Sequence, residues 1–190
     1  MKVEQILQDV FQIGDEVCRR EIASKSSIKY FRHPEIIIKE GQVQSNIYFL
    51  ISGAARGYTS FENGDEFTDC ITSKAGLPLV STNLFEKTAS LNFQVLLDGN
   101  YLIVPHNLIL ELINENPEIM SLVCQRLADA LVYHNTHKKI LYRSTAREKL
   151  LWFEKMHPDL IGKLKQIHVA SYLGIAPETL SKIKKIRDSV

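Results

Sequence analysis

Near the C terminus, charged and polar residues recur at the spacing that a DNA-reading helix requires. The stretch KQIHVASYLGIAPETLSKIKK runs from Lys165 to Lys185. Glu178 and Lys182 are four residues apart, so they share one face of the helix that this stretch predicts. Glutamate can accept a hydrogen bond from cytosine, and lysine can donate to guanine or to a phosphate. We expect this face to contact DNA through Glu178, Ser181, Lys182 and Lys185, with Thr179 and Lys184 at its flanks.

The same stretch has the pattern of two helices joined by a tight turn. Ala170 supplies the small side chain that lets a second helix approach closely, and Gly174 can adopt the left-handed conformation of the turn. Pro177 suits the first position of a helix, where its missing N–H is not needed. The core positions are apolar, at Val169, Leu173, Ile175, Leu180 and Ile183. The pattern predicts a helix-turn-helix; the alternative is a plain basic helical hairpin.

Charge is distributed unevenly along the chain. The formal net charge is +1, but residues 1–137 contain 11 Lys and Arg against 17 Asp and Glu, whereas residues 138–190 contain 12 against 5. The last quarter therefore carries a net charge of +7. A basic segment favours a polyanionic partner, although it can also be only a solvated surface.

Other elements must position this helix-turn-helix. Apolar spacing predicts two short helices before residue 25, with a break at Gly14. Between Ile28 and Val104 the period becomes that of strands, with turn signals at Asn63-Gly64 and at Asp98-Gly99-Asn100. The expected strands are IIIKEG, NIYFLISG, AARGYTSF, DEFTDCIT, LNFQVLLDG and NYLIVP. Short strands at this spacing predict an antiparallel sandwich or barrel.

A long helix is predicted from Asn116-Pro117 to about Tyr142. It is too long to lie entirely against one small barrel, and one stripe of it follows the alternating spacing of a two-stranded coiled coil. We call this stripe the seam; it comprises Met120, Cys124, Leu127, Leu131, His134, Lys138 and Leu141. The seam predicts a homodimer, the alternative being a helix that lies on the barrel. Ser144 is expected to cap the following helix, with Glu148 in its first turn.

The order of these elements resembles the Crp/Fnr superfamily of bacterial transcription regulators over nearly the whole chain. IIIKEGQVQSNIYFLISGAARGYTSFENGDEFT is similar to the family's first hairpins, and VASYLGIAPETLSKIKK to its recognition segment. By position, the resemblance implies that Glu178 and Lys182 contact bases and that Thr179 contacts a phosphate. Pro177 stands where the best-known members have an arginine, so a different half-site sequence is expected. The resemblance also implies RNA polymerase as a partner.

The ligand site departs from the family's cyclic AMP cassette, which uses a Gly-Glu pair for the ribose and an Arg-Ser/Thr pair for the phosphate. In GLPLVSTNLFEKTASLNFQVL, Ser81 falls at the glutamate, and Leu91 and Asn92 fall at the arginine pair. A buried phosphate without its arginine would remain unpaired. Control by cyclic AMP is therefore not expected, and the residues that bind any other small-molecule effector stay unknown.

Other classes of protein fit less well. A metal-dependent barrel enzyme needs converging histidines, and none lies between His33 and His106. Cys18, Cys70 and Cys124 are far apart and lack zinc or iron–sulfur spacing, so we expect free thiols, mostly buried, and no metal or cofactor. Neither a signal peptide nor a membrane span is expected, which indicates the cytoplasm.

The sequence thus predicts an α+β protein in three parts. Residues 1–115 form a double-stranded β-helix sensor of the cyclic nucleotide-binding-like jelly-roll kind with N-terminal helices. Residues 116–142 form a dimerisation helix, and residues 143–190 a winged-helix-like helix-turn-helix domain. The expected function is transcription regulation by a homodimer that binds an inverted repeat in double-stranded DNA, with no enzyme activity. The alternative is a dimeric signalling module of the same fold that does not bind DNA.

Overall fold

Two short helices come first in the described chain. The computed structural model describes residues 2–80, 84–85 and 88–188, with only the backbone described at 187 and 188. Helix α1 spans Val3–Asp9 and α2 spans Glu16–Lys25, on either side of the predicted break. The Asp15 carboxylate caps α2 by accepting from the N–H groups of Val17 and Cys18.

Eight strands follow in the described residues, and all their pairings are antiparallel. Six of them coincide with the predicted strands, whereas the first and the sixth were not singled out in the sequence. Gly64 has a φ of 84°, as the predicted Asn63-Gly64 turn requires. The strands are β1 (Ser27–Phe31), β2 (Ile36–Ile38), β3 (Asn46–Leu50), β4 (Ala54–Ser60), β5 (Glu66–Thr72), β6 (Pro78–Leu79), β7 (Asn92–Leu97) and β8 (Gly99–Pro105).

The strands form two four-stranded sheets. The first has the order β1-β8-β3-β6 and the second the order β2-β7-β4-β5. Chain neighbours are often not sheet neighbours, because the chain crosses repeatedly between the two sheets. This arrangement confirms the predicted α+β class with a double-stranded β-helix, called the β-roll below. Strand β5 lies at the edge of the second sheet.

The space between the sheets is filled by buried apolar side chains. Phe31 contacts the ring of Tyr101 edge to face, with ring centroids 5.4 Å apart. Leu50 and Val95 contribute from the two different sheets and have no exposed surface. Burial of this apolar surface holds the sheets together.

Helices cover the outer face of the first sheet. Helix α3 spans His106–Glu115 and shares one buried cluster with α1, α2 and strands β3 and β8. Ile22, Ile47 and Leu112 are buried members from three of these elements. The N-terminal helices are therefore part of the β-roll core.

The predicted long helix is observed without interruption. Helix α4 spans Pro117–Arg143, 27 residues, which corresponds to a length of about 40 Å. The Asn116 side chain accepts from the N–H groups of Glu118 and Ile119 and so caps the helix. In the described part of the chain, no helix combines the length and apolar character needed to cross a lipid bilayer.

Three helices and one 3-10 turn complete the described chain. These are α5 (Ala146–Met156), the 3-10 helix Pro158–Leu160, α6 (Gln166–Leu173) and α7 (Pro177–Asp188). Thr145, not Ser144, caps α5: its hydroxyl accepts from the Glu148 N–H, and the Glu148 carboxylate accepts from the Thr145 N–H. The prediction of Ser144 was wrong by one residue, because the capping box requires the glutamate three residues after the cap and only Thr145 stands three residues before Glu148. Residues 143–188 contain no strand, so the wing of a winged helix has no counterpart there.

Candidate nucleic-acid interface

The turn between α6 and α7 has the geometry that the sequence predicts. Gly174 adopts the left-handed conformation, with φ 57° and ψ 44°, and its N–H donates to the carbonyls of Ala170 and Ser171. Pro177 is the first residue of α7. Ala170 and Leu180 have no exposed surface, so a small side chain and a leucine pack the two helices together. The orientation of α7 is therefore determined by the α6 core.

Helix α7 presents its predicted DNA face to solvent. Glu178, Lys182 and Lys185 are exposed, and Ser181 is half-buried between them. These four residues and Pro177 line one surface depression of about 580 Å³. Thr179 is exposed and Lys184 is half-buried, and both lie outside this depression, at the flanks as expected.

Two residues that the sequence did not single out line the same depression. Gln166 is the first residue of α6, and Ile186 is in the last turns of α7. A glutamine amide can bond bidentately to adenine or donate to a phosphate. Its position at a helix start within the recognised pattern was the available signal for Gln166. The geometry thus adds a neutral polar group to the glutamate and lysines of α7.

An aromatic cluster joins α5 and α6 to the C-terminal half of α4. The imidazole of His137 stacks against the ring of Tyr172, with centroids 4.2 Å apart, and its Nε2 lies 3.1 Å from the Tyr172 carbonyl oxygen. The Tyr133 hydroxyl bonds to the hydroxyl of Tyr172 and to Nε2 of His157, the latter at 2.9 Å. The indole of Trp152 on α5 also stacks against His137, with ring centroids 5.1 Å apart, and lies 6.2 Å from the ring of Tyr172. The helix-turn-helix is thereby anchored to the long helix.

Three histidines in and near this region are buried. Burial lowers the pKa of His157 to about 4, although the Asp159 carboxylate opposes the shift. Burial, and secondarily the Arg56 guanidinium, lowers the pKa of His168 to about 4. Burial also lowers the pKa of His137. All three are therefore neutral at pH 7.

The seam lies on an open face of α4. Met120, Leu127 and Leu131 keep 39%, 52% and 64% of their surface exposed, which is unusual for large apolar side chains at regular spacing. Cys124, His134 and Lys138 are exposed as well. Leu141 differs: it is half-buried, and a side chain added at Gly174 would meet its Cδ2 at 3.6 Å. The last seam position thus packs beside the helix-turn-helix.

The cysteines are free, as predicted. Cys18 is buried, which raises the pKa of its thiol to about 11. Cys124 is exposed, so the expectation of mostly buried thiols does not hold for this residue.

The positions equivalent to the cyclic AMP cassette have other roles here. Leu91 packs against the cluster between the sheets. The Asn92 side chain accepts from the Glu40 N–H at 3.1 Å. Ser81 lies outside the described residues, as does Lys87. Neither described position presents a cation to the β-roll interior.

No protein-family model matches this chain, and no curated protein matches it. Solved structures do match its fold. FixK2 from Bradyrhizobium japonicum has a TM-score of 0.76 at 17% identity, over 86% of this chain and 85% of FixK2. A protein from Eubacterium rectale assigned to the Crp/Fnr family of transcriptional regulators has a TM-score of 0.73 at 11% identity, over 95% and 87%. CLP of Xanthomonas campestris, a c-di-GMP-responsive global regulator, has a TM-score of 0.72 at 13% identity, over 92% and 93%.

These matches extend beyond the β-roll. Each covers more than four fifths of this chain, so each must include part of the segment after α4. The identities are low, and the likeness accordingly concerns the fold. By its β-roll, its long helix and the helices that follow, this chain has the fold of the Crp/Fnr regulators.

Proposed function

We propose that this protein is a DNA-binding transcription regulator of Crp/Fnr type. The observation that carries the proposal is the face of α7, where Glu178 and Lys182 line one open depression together with Gln166. An acceptor and a cation on the exposed face of α7, with an amide from the start of α6 beside them, can distinguish bases in a major groove. Because a buried core holds their backbone, only the side chains of these residues have to be ordered on binding.

Charge supports the same partner. Residues 138–190 have a net charge of +7, and Lys182, Lys184 and Lys185 all belong to α7. Contacts between such lysines and phosphates release counterions, so the affinity should fall steeply with salt. Thr179 and Pro177 extend the same helix end, and we assign Thr179 to a phosphate contact.

We further propose a homodimer paired along the seam. Pairing would cover Leu127 and Leu131, whose exposure is otherwise costly. A twofold axis along α4 relates two copies of α7, which would enter successive major grooves about 34 Å apart. The operator is then an inverted repeat in double-stranded DNA. We expect the protein to act in the cytoplasm, and the resemblance implies RNA polymerase as a further partner.

We do not expect cyclic AMP or cyclic GMP to be the effector. CLP responds to c-di-GMP, but in this chain Leu91 falls, by sequence position, at the phosphate-binding arginine of the cyclic AMP cassette. Leu91 belongs to the packed cluster between the sheets. A cyclic phosphate there would lose its hydration without gaining a cation. Any effector is therefore a molecule of different chemistry.

Selection of operators from random duplexes, followed by gel shifts at several salt concentrations, tests the proposal. Glu178→Ala and Lys182→Ala should cost about 1 to 3 kcal/mol on the selected operator and relax the preference at one base pair. Lys185→Ala should weaken binding to all duplexes alike and lower the salt slope by about one. The matched control is Lys39→Ala, which removes an exposed lysine from the β-roll. If the wild-type protein selects no sequence, the alternative of a signalling module without DNA binding is favoured.

A further inference from the structure

The helix-turn-helix unit shares a buried core with the β-roll. Ala54, Ile71 and Leu96 lie on the face of the second sheet that is turned away from the first sheet, and they belong to one buried cluster with helical residues. The helical members come from α5, α6, α7 and the 3-10 helix: Leu150, Phe153, Leu160, Val169, Ala170, Tyr172, Leu173 and Leu180. The helix-turn-helix therefore packs directly against the β-roll, in addition to being connected to it through α4.

At the margin of this core, one serine pairs with the open edge of the sheet. Strand β5 has no neighbouring strand on its outer side, so its outward N–H and C=O groups need other partners. The Thr68 N–H donates to Ser171 Oγ at 2.9 Å, and Ser171 Oγ donates to the Glu66 carbonyl at 2.8 Å. One hydroxyl of α6 thus satisfies a donor and an acceptor two residues apart on β5.

A buried arginine holds the same two residues through their side chains. Arg56 is 2% exposed and forms an ion pair with the Glu66 carboxylate. Its Nη1 donates to Thr68 Oγ1 at 3.2 Å, and its Nε donates to Gln94 Oε1 at 2.9 Å. The segment of β5 that bonds to Ser171 is therefore also held by the buried side chain of Arg56.

Two adjacent residues of α6 point to different parts of the molecule. Ser171 bonds to β5 of the β-roll, whereas Tyr172 packs against His137 and bonds to Tyr133, both on α4. Only Leu173 to Ala176 separate these contacts from α7. The position of α7 and its predicted DNA face relative to α4 thus depends on two sets of contacts of α6, one with β5 and one with α4.

We propose that Ser171 is a positioning residue that sets the spacing between the two half-sites of the operator. The inference rests on the proposed function. In a dimer paired along α4, the distance between the two copies of α7 depends on how each α6 is held against its β-roll. Glu178 and Lys182 read the bases of each half-site, whereas Ser171 fixes where that half-site must lie. Loss of the hydroxyl should therefore alter the spacing preference and leave the base preference intact.

The test uses the full chain with Ser171→Ala, which favours helix and removes only the hydroxyl. Ser171→Thr restores a hydroxyl, and Ser24→Ala is the matched control because the Ser24 hydroxyl bonds only to its own helix at Glu21. Amide hydrogen exchange without DNA is measured first. The Thr68 amide should exchange at least about tenfold faster in Ser171→Ala than in the wild type, threonine variant and control, while global stability changes little.

Operators with half-sites moved apart in single base-pair steps are measured second. The wild type should prefer one spacing by at least about tenfold, and Ser171→Ala should bind neighbouring spacings within about threefold, with unchanged half-site bases. The inference is overturned if the Thr68 amide of Ser171→Ala exchanges at the wild-type rate, or if Ser171→Ala prefers one half-site spacing as strongly as the wild type does. If the wild type selects no duplex at all, the proposed function itself fails. The exchange data distinguish this outcome from loss of the hydrogen bonds between Ser171 and β5.

Discussion

The imidazole of His137 stacks on the indole of Trp152, with ring centroids 5.1 Å apart and ring planes 3° from parallel. His137 belongs to α4 and Trp152 to α5, and these helices are separated along the chain only by Ser144 and Thr145. Tyr172 of α6 lies against the same imidazole. Packed rings therefore bridge the short connection after α4 and join α5 and α6 to the end of that helix.

Trp152→Ala should destabilise the protein by about 2 to 3 kcal/mol, because it removes the ring that covers His137 and leaves a gap between α4 and α5. The unfolding midpoint in urea measures this loss. Leu151→Ala is the control: Leu151 is on the same helix but mostly exposed, and its loss should stay within about 0.5 kcal/mol. Equal effects of the two changes would contradict the assigned role of the ring cluster.

Stability should fall as the pH is lowered from 7 to 5. His157 and His168 have a pKa of about 4 in the folded protein because they are buried, against about 6.5 in an unfolded chain. The native state therefore binds fewer protons: its full stability is present above about pH 6.5 and is lost as the pH falls toward 4. Each histidine should account for about 1 to 2 kcal/mol at pH 5, as measured by urea unfolding.

The control for this pH dependence is His168→Gln, which keeps a polar side chain but does not titrate. About a third to a half of the loss between pH 7 and pH 5 should disappear in this variant, because His157 and His137 still titrate. Asp98 does not confuse the result, because its lowered pKa affects stability only at more acidic pH. A loss of the same size in His168→Gln would assign the pH dependence to other groups.

Leu127→Asp combined with Leu131→Asp should convert the dimer to monomers. Each change places a carboxylate in the apolar seam, which costs several kcal/mol per dimer if the charges stay unpaired. Sedimentation velocity measures the mass, and circular dichroism verifies that the monomer is folded. The exposed pair Asp129→Asn and Gln125→Glu, outside the seam, is the control. A folded dimer of the double aspartate variant would exclude the seam as the interface.

Cys124 offers a second measurement of the same interface. Because it is exposed within the seam, the two copies should face each other across a parallel dimer. A short bismaleimide should join two wild-type chains and fail with Cys124→Ser. The buried thiol of Cys18 should not react, since its raised pKa leaves little thiolate. Cross-linking that persists in Cys124→Ser would place the contact elsewhere.

Cyclic AMP and cyclic GMP at millimolar concentration should leave the melting temperature and the DNA affinity unchanged. The reason is Leu91, which the sequence comparison predicts at the position of the family's phosphate-binding arginine and whose apolar side chain packs against the cluster between the sheets. Thermal unfolding with each nucleotide, with adenosine as the uncharged control, provides the measurement. A saturable rise in melting temperature that follows RT ln(1 + [L]/Kd) would show that these nucleotides bind.

Much of the fold could be predicted from the sequence because it depends on neighbouring residues. Short runs rich in β-branched and aromatic residues predict the strands, β3, β4 and β8 among them. Asn63-Gly64 specifies its own turn through the positive φ of Gly64. The cap at Asn116 and the left-handed Gly174 are likewise local. The order of these elements then carries the resemblance, and the face of α7 follows from its helical spacing.

Other features depend on contacts between distant residues and only the tertiary structure decided them. Strand β6 has two residues, too few to show a period, and Gln166 joins the α7 face through the crossing of two helices. Ser171 bonds to Glu66 and Thr68 across separations of 105 and 103 residues. Nothing near Ser171 or Arg56 in the chain distinguishes them from solvated polar residues. Their partners are determined by the crossing of the chain between the two sheets, which places β5 at an open edge where a hydroxyl from α6 completes its hydrogen bonds.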